Sequence, residues 1–117
     1  MKRKFSLKRK KDIEALLKIK KSVGNKYYAI YYITQNDTKV AISASKKIGN
    51  AVERNYQKRV VREIIRKHMQ KLKETHLIIV VKKPALELSF IDKEKQLNYL
   101  LKKVYLWIYK VWEINIF

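Results

Sequence analysis

Cysteine is absent from this chain, which excludes disulfides and thiolate zinc sites. Glycine occurs only at Gly24 and Gly49, so there is no glycine-rich loop to cradle a phosphate. Neither a Walker loop nor an HExxH helix is present. Histidine is confined to His68 and His76. The carboxylates are dispersed among lysines, with no cluster that would build a two-metal site. Uninterrupted apolar runs fall well short of the roughly 18 residues a membrane helix needs. The basic start is not followed by an apolar core of signal-peptide length. These shortages argue against an enzyme that carries its own catalytic groups, against a membrane span and against secretion. They leave a cytoplasmic binding protein, and no repeat or low-complexity linker divides residues 1–117 into more than one domain.

What the chain has in excess is positive charge: 29 Lys and Arg against 10 Asp and Glu, a formal net charge of +19. Solubility does not need so large an imbalance. Its physical meaning is a polyanionic partner, nucleic acid before anionic membrane. A hydrophobic content of 47% beside 33% charged residues marks a globular domain, and 117 residues suffice for one modest core.

Residues 1–11 carry Lys2, Arg3, Lys4, Lys8, Arg9, Lys10 and Lys11, either a solvated mobile end or a phosphate-contacting arm. Ile13, Leu16, Leu17 and Ile19 predict a short amphipathic helix over 12–20. After a break at 22–25, YYAIYYIT (27–34) predicts a strand with Tyr28, Ile30 and Tyr32 on one face. Tyr27, Ala29, Tyr31 and Ile33 take the other. Such rings are either strand filler or a stacking platform for bases. The turn QNDT leads to a second strand, KVAISAS (39–45), and the pair predicts an antiparallel hairpin. THLIIVVK (75–82) is apolar through its centre, as a strand buried on both faces would be, and Pro84 follows its end. Ser89 and Asp92 form an approximate capping box for a last helix, in which Leu97, Leu100, Leu101, Val104, Ile108 and Val111 recur at helical spacing. Tyr105, Trp107, Tyr109, Trp112 and Phe117 make its end unusually apolar, either as core or as a docking surface. The element order, α-β-β-α-β-α, gives one α+β domain with helices beside a small sheet.

The most informative stretch is SKKIGNAVERNYQKRVVREIIR (45–66). A polar turn leads to Asn50, a good N-cap, and then to a helix that runs to about Lys73. Arg54, Lys58 and Arg62 fall at i, i+4 and i+8, with Asn55, Arg59 and Arg66 on adjoining rows. Together they span an arc of about 140°. Val61, Ile64, Ile65, His68 and Leu72 point to a core. Like charges at this spacing cost a few tenths of a kcal/mol per pair, so the face works against its own helix until a polyanion neutralises it. Asn55 adds a side chain that both donates and accepts, which a purely electrostatic face would not need.

Here the residues become specific. Ser45, Lys46, Lys47, Gly49, Asn50, Ala51 and Val52, followed by Arg54, Asn55, Lys58, Arg59 and Arg62, resemble the signature of the bacterial ribonuclease P protein subunit. LKRKKDIEALLK looks like that family's first helix, SVGNKYYAIYY like its aromatic strand, and LIIVVKKPA like its strand after the long helix. The resemblance covers about residues 7–104. It implies a two-layer α+β sandwich with a small mixed sheet and a left-handed β-α-β crossover, where general rules favour a right-handed one. It implies a protein component of an endoribonuclease that removes the 5′ leader of precursor tRNA. Catalysis and Mg²⁺ then belong to the RNA subunit, and no organic cofactor is expected. Partners are the catalytic RNA and the leader, with neither DNA nor membrane.

By the same resemblance Lys46, Lys47, Asn50, Arg54, Asn55, Lys58, Arg59 and Arg62 are RNA contacts, with Arg66 on the same helix face. Tyr28 and Tyr31 belong to the leader cleft between the sheet and the first helix. Ile13 and Leu17 stand where the family often has Phe, so that side of the cleft offers apolar bulk instead of flat rings. The apolar ending departs from the family's usual basic tail. Composition alone fits a ribosomal or other structural RNA-binding protein equally well; the signature spacing separates the two.

Overall fold

The apolar run 77–81 becomes an inner strand, paired along both edges. The computed structural model describes the backbone of Leu7, residues 9–18 and residues 21–116, and the side chains of these except 12, 109 and 111–116. The elements are α1 (Lys10–Lys18), β1 (Ser22–Gly24), β2 (Tyr28–Thr34), β3 (Lys39–Ala44), α2 (Ala51–Arg66), β4 (Thr75–Val81) and α3 (Phe90–Ile116). Short 3-10 turns at Lys46–Ile48, Met69–Lys71 and Lys83–Glu87 link them. The class is α+β, with a small mixed sheet of order β1-β2-β4-β3.

This order corrects the expected hairpin. β2 and β3 run in opposite directions but do not pair: β4 lies between them, antiparallel to β2 and parallel to β3. The 35–38 connection reaches up to about 17 Å, and two strand spacings need only about 10 Å. It therefore passes over the start of β4, which holds it. Gln35 N–H donates to the Glu74 carbonyl (2.8 Å), Thr38 Oγ1 donates to the Leu72 carbonyl (2.8 Å), and Glu74 N–H donates to Thr38 Oγ1 (3.0 Å). His76 pairs with Asp37 at 2.7 Å, and that contact holds the Asp37 carboxyl below its ordinary range. The hairpin that does form joins β1 to β2, with Val23 opposite Ile30. Ser-Val-Gly carries too little apolar patterning to announce a strand. Asn25 organises its turn, accepting from the N–H groups of Tyr27 (2.8 Å) and Tyr28 (3.0 Å).

α2 packs against β3, and α3 against β1 and β2, so both lie on one face of the sheet. There Tyr28, Ile30, Tyr32, Val40, Leu77, Ile79 and Val81 meet Val61, Ile64 and Ile65 of α2 and Leu97, Leu100, Leu101 and Val104 of α3. The sheet and these two helices form the sandwich. The nine-residue α1 lies across part of the other face, where Leu16 joins Leu7 and Ile78. Of the basic arm, residues 1–6 and 8 lie outside the described residues. Leu7 is buried and its N–H donates to the Val40 carbonyl (2.9 Å) on the edge strand. α2 stops at Arg66, short of the expected Lys73. Sixteen helical residues span about 24 Å, close to the roughly 23 Å of seven-residue β4. A longer helix would overshoot the sheet, so the chain turns and tucks Leu72 into the core. Ser89 Oγ accepts from Asp92 N–H at 3.2 Å, as the capping pattern predicts. At the far end of α3 Trp107 packs edge-on to Tyr32, with ring centroids 5.1 Å apart, so it serves the core. The side chains of Tyr109, Val111, Trp112 and Phe117 lie outside the described residues.

Candidate nucleic-acid interface

The start of α2 is built by three residues in sequence. Ile48 is buried and anchors the turn Lys46–Ile48. Gly49 then adopts φ 152°, ψ −159°, a region essentially reserved for glycine. A Cβ there would also sit 3.3 Å from the Glu53 side chain. Asn50 takes the N-cap, its side-chain oxygen accepting from Glu53 N–H at 2.9 Å. Lys46 and Lys47 are thereby left exposed beside the positive end of the helix dipole, where cations are disfavoured.

Along the helix, Asn55, Arg59, Arg62 and Arg66 are exposed, and Arg54 and Lys58 are half-buried. Val60, Val61, Ile64 and Ile65 occupy the buried side. Arg66 pairs with Glu63. Among the described residues Lys46, Lys47, Arg54, Lys58, Arg59 and Arg62 have no ion-pair partner. Arg54 Nε is shielded from solvent and meets no hydrogen-bond acceptor there. The other acid of the helix faces inward: Glu53 accepts from Gln57 Nε2 at 3.0 Å. Buried Lys93 of α3 stands close enough to feel its charge, while burial, the larger influence, pushes the Lys93 ammonium pKa down. Gln57 and Lys93 are both buried polar residues beside Glu53 that helical patterning did not single out. So Glu53 serves the helix seam, Glu63 compensates only Arg66, and the rest of the basic face is left without an ion-pair partner among the described residues.

The second expected patch divides. Tyr31 is half-buried on the α1 face of the sheet, beside Ile13, Ile33, Ala41 and Val80. Tyr28 is three residues away and so lies on the opposite face, 0% exposed in the main core. Burial raises its phenol pKa to about 12, and its hydroxyl has no partner among the described residues. Tyr28 is therefore a core residue and not a cleft residue. Ile13 packs at the edge of the α1-side cluster, whereas Leu17 is 47% exposed. Val80, which helps complete this face, was hidden inside a run that reads only as apolar strand. Among the described residues no group of three or more His, Asp or Glu is placed to hold a metal ion, and no helix is long and apolar enough to cross a membrane.

An α+β domain of this charge, with uncompensated cations along one helix and a partly open aromatic sheet face, belongs to the class of small RNA-binding proteins. The family model described as Ribonuclease P matches residues 1–105, and the chain belongs to that family as a bacterial ribonuclease P protein component. It is 36% identical over 110 residues to the ribonuclease P protein component of Bacillus velezensis, covering 92% of this chain and 95% of the relative. It is 38% identical over 109 residues to that of Streptococcus gordonii, covering 90% and 92%. The solved structure of the Staphylococcus aureus RNase P protein superposes with a TM-score of 0.79 at 28% identity, covering 86% of this chain and 94% of that one. Membership makes the chain part of a tRNA-processing endoribonuclease.

Proposed function

We propose that the face formed by Lys46, Lys47, Asn50, Arg54, Asn55, Lys58, Arg59, Arg62 and Arg66 binds the catalytic RNA of ribonuclease P. In the same assembly the open sheet face at Tyr31 receives the 5′ leader of precursor tRNA as a single strand. The observation that carries the reading is the row of unpaired cations on α2 and its preceding turn. Lysines at a helix N-terminus oppose the dipole, and arginines one turn apart repel each other. Phosphates reverse both terms at once. Tyr31 offers a ring against which a leader base stacks, with apolar Ile13 and Ile33 beside it. Hydrolysis of the phosphodiester bond is assigned to the RNA, and Mg²⁺ to RNA and substrate oxygens. The protein's part is to position the leader and to neutralise phosphate repulsion, in the cytoplasm.

The test is reconstitution with a bacterial ribonuclease P RNA. The protein is expected to lower the Mg²⁺ needed for cleavage and to favour substrates that carry a leader. Failure on both counts would falsify the assignment. The double variant Arg59→Ala/Arg62→Ala should weaken RNA binding and reduce the salt slope by about 0.9 for each duplex phosphate no longer neutralised. Its thermal stability should stay near wild type, because both side chains are exposed. A large stability loss would contradict the exposed placement.

A further inference from the structure

A groove of about 480 Å³ lies on the side of the molecule away from α1, lined by His68, Lys71, Lys95, Asn98, Tyr99, Lys102 and Tyr105. It shares no residue with the α2 face or with the α1 side of the sheet. The helix that carries most of it, α3, packs on the sheet face opposite α1. We propose that this groove is a second RNA site, which takes one nucleotide of a single strand, its phosphate among the lysines and its base against Tyr99.

Charge is the first argument. Three ammonium groups line the groove, no carboxylate does, and Lys71, Lys95 and Lys102 have no ion-pair partner among the described residues. Lys95, Asn98, Tyr99 and Lys102 fall at i, i+3, i+4 and i+7, one row along the exposed side of α3. Asp92, three residues before Lys95, is the one acid of α3 at such a spacing from these lysines, and it forms no ion pair with Lys95.

The second argument is the ring. Tyr99 is 58% exposed, a large flat ring with a polar tip, much of whose apolar surface faces solvent. The Lys103 ammonium stands 4.7 Å from its ring centroid. A ring that already holds a cation and still shows most of its surface is a platform for a base. An acidic peptide would use the lysines and leave the ring idle, so the pairing of ring and cations favours a nucleotide.

The third argument is a relay that fixes the polar lining. The Tyr105 hydroxyl donates to His68 Nδ1, and His68 Nε2–H donates to Asn98 Oδ1 at 2.6 Å. Burial, the largest influence, depresses the His68 pKa and keeps the ring neutral near pH 7, as this relay requires. With its oxygen engaged, Asn98 turns its amide N–H donors away from His68. They have no acceptor among the described residues. Those donors suit a base carbonyl or a phosphate oxygen. A volume near 480 Å³ lies in the range that holds a small ligand and is ample for one nucleotide.

The test uses the full chain carrying Arg59→Ala/Arg62→Ala, so that binding at the α2 face is already weakened. Its affinity for a short labelled oligouridylate is measured against salt. Adding Tyr99→Ala should lower that affinity about fivefold to a hundredfold, while Tyr99→Phe should retain it. Adding Lys95→Ala/Lys102→Ala should lower the salt slope by about 0.7 for each single-strand phosphate no longer neutralised. A 4-thiouridine strand should crosslink to a peptide containing Tyr99. Oligouridylate binding that is indifferent to Tyr99→Ala and to the lysine pair overturns the proposal. Uridine monophosphate binding as tightly as the strand overturns strand docking in favour of a free nucleotide. Displacement by polyglutamate together with indifference to Tyr99→Ala overturns it in favour of an acidic protein. Leader cleavage by the chain with its α2 face intact reports separately on the α2 assignment. Circular dichroism controls for folding, since the altered side chains are exposed.

Discussion

The two faces of the same four-stranded sheet are finished very differently. On one, α2 and α3 seal Tyr28, Ile30, Tyr32, Leu77, Ile79 and Val81 into a continuous core. On the other, among the described residues, only Leu7, Leu16 and Ile78 are fully buried beside the nine-residue helix, and Tyr31, Ile33, Ala41 and Val80 are partly open. Alternation along β2 and β4 supplies apolar side chains to both faces. The difference lies in the covering helices: 16 and 27 residues on one side, nine on the other. An apolar face left half-covered is a place for something flat and flexible to lie, and a sealed one is a place to hold the fold.

That contrast can be broken most directly by truncating neighbours on β4. Ile79→Ala, on the sealed face, should cost about 2–5 kcal/mol in denaturant unfolding, through lost transfer energy and a cavity. Val80→Ala, on the open face, should cost about 1 kcal/mol. Equal losses would mean that both faces are sealed. Next in size is a pair of tyrosines on β2. Tyr31→Ala should weaken preference for leader-bearing substrate by about 1–3 kcal/mol, the worth of one stacked base. Tyr28→Phe should leave cleavage unchanged and raise stability by up to about 1 kcal/mol, because it removes a buried hydroxyl without a partner among the described residues. A leader defect from Tyr28→Phe would return that residue to the cleft.

The smallest expected effect is a pH dependence at the α2–α3 seam. Folding lowers the His68 pKa, chiefly by burial; Lys71 and Lys67 disfavour its charged form, while Glu94 and the hydrogen bond to Asn98 favour it. Its unfolded form then binds a proton more readily than its folded form. Stability is full above the unfolded value of about 6.5 and falls as pH drops from there towards the folded value. Subtracting the profile of His68→Gln from that of wild type should isolate this slope from His76. Identical profiles would rule the contribution out.

How far the sequence could be read follows from how local each signal is. The basic face of α2 was legible because helical spacing repeats within one element, and Asn50 and Gly49 announce its start by their own chemistry. The faces of β2 were also legible: period two already separates Tyr28 from Tyr31, and assigning both to one cleft conflicted with that period. What alternation cannot tell is which face a distant helix will cover. The end of α2 was misplaced for a similar reason. Nothing between Arg66 and Lys73 breaks a helix locally; the stop comes from the length of the sheet it packs on. The groove beside His68 was illegible, since its walls come from the turn after α2 and the middle of α3.

By itself, then, the sequence determined the charge, the basic helix with its cap, the apolar inner strand and the family to which they belong. Each rests on residue type and spacing within a single segment. Only the tertiary structure decided that β4 separates β2 from β3, that Tyr28 is sealed while Tyr31 is left open, and that Lys71 and His68 join the Lys95–Tyr99–Lys102 row of α3 in one groove. Those outcomes depend on which segments meet across the chain. They are set by the competition of apolar surfaces for cover and not by any one segment's own preference.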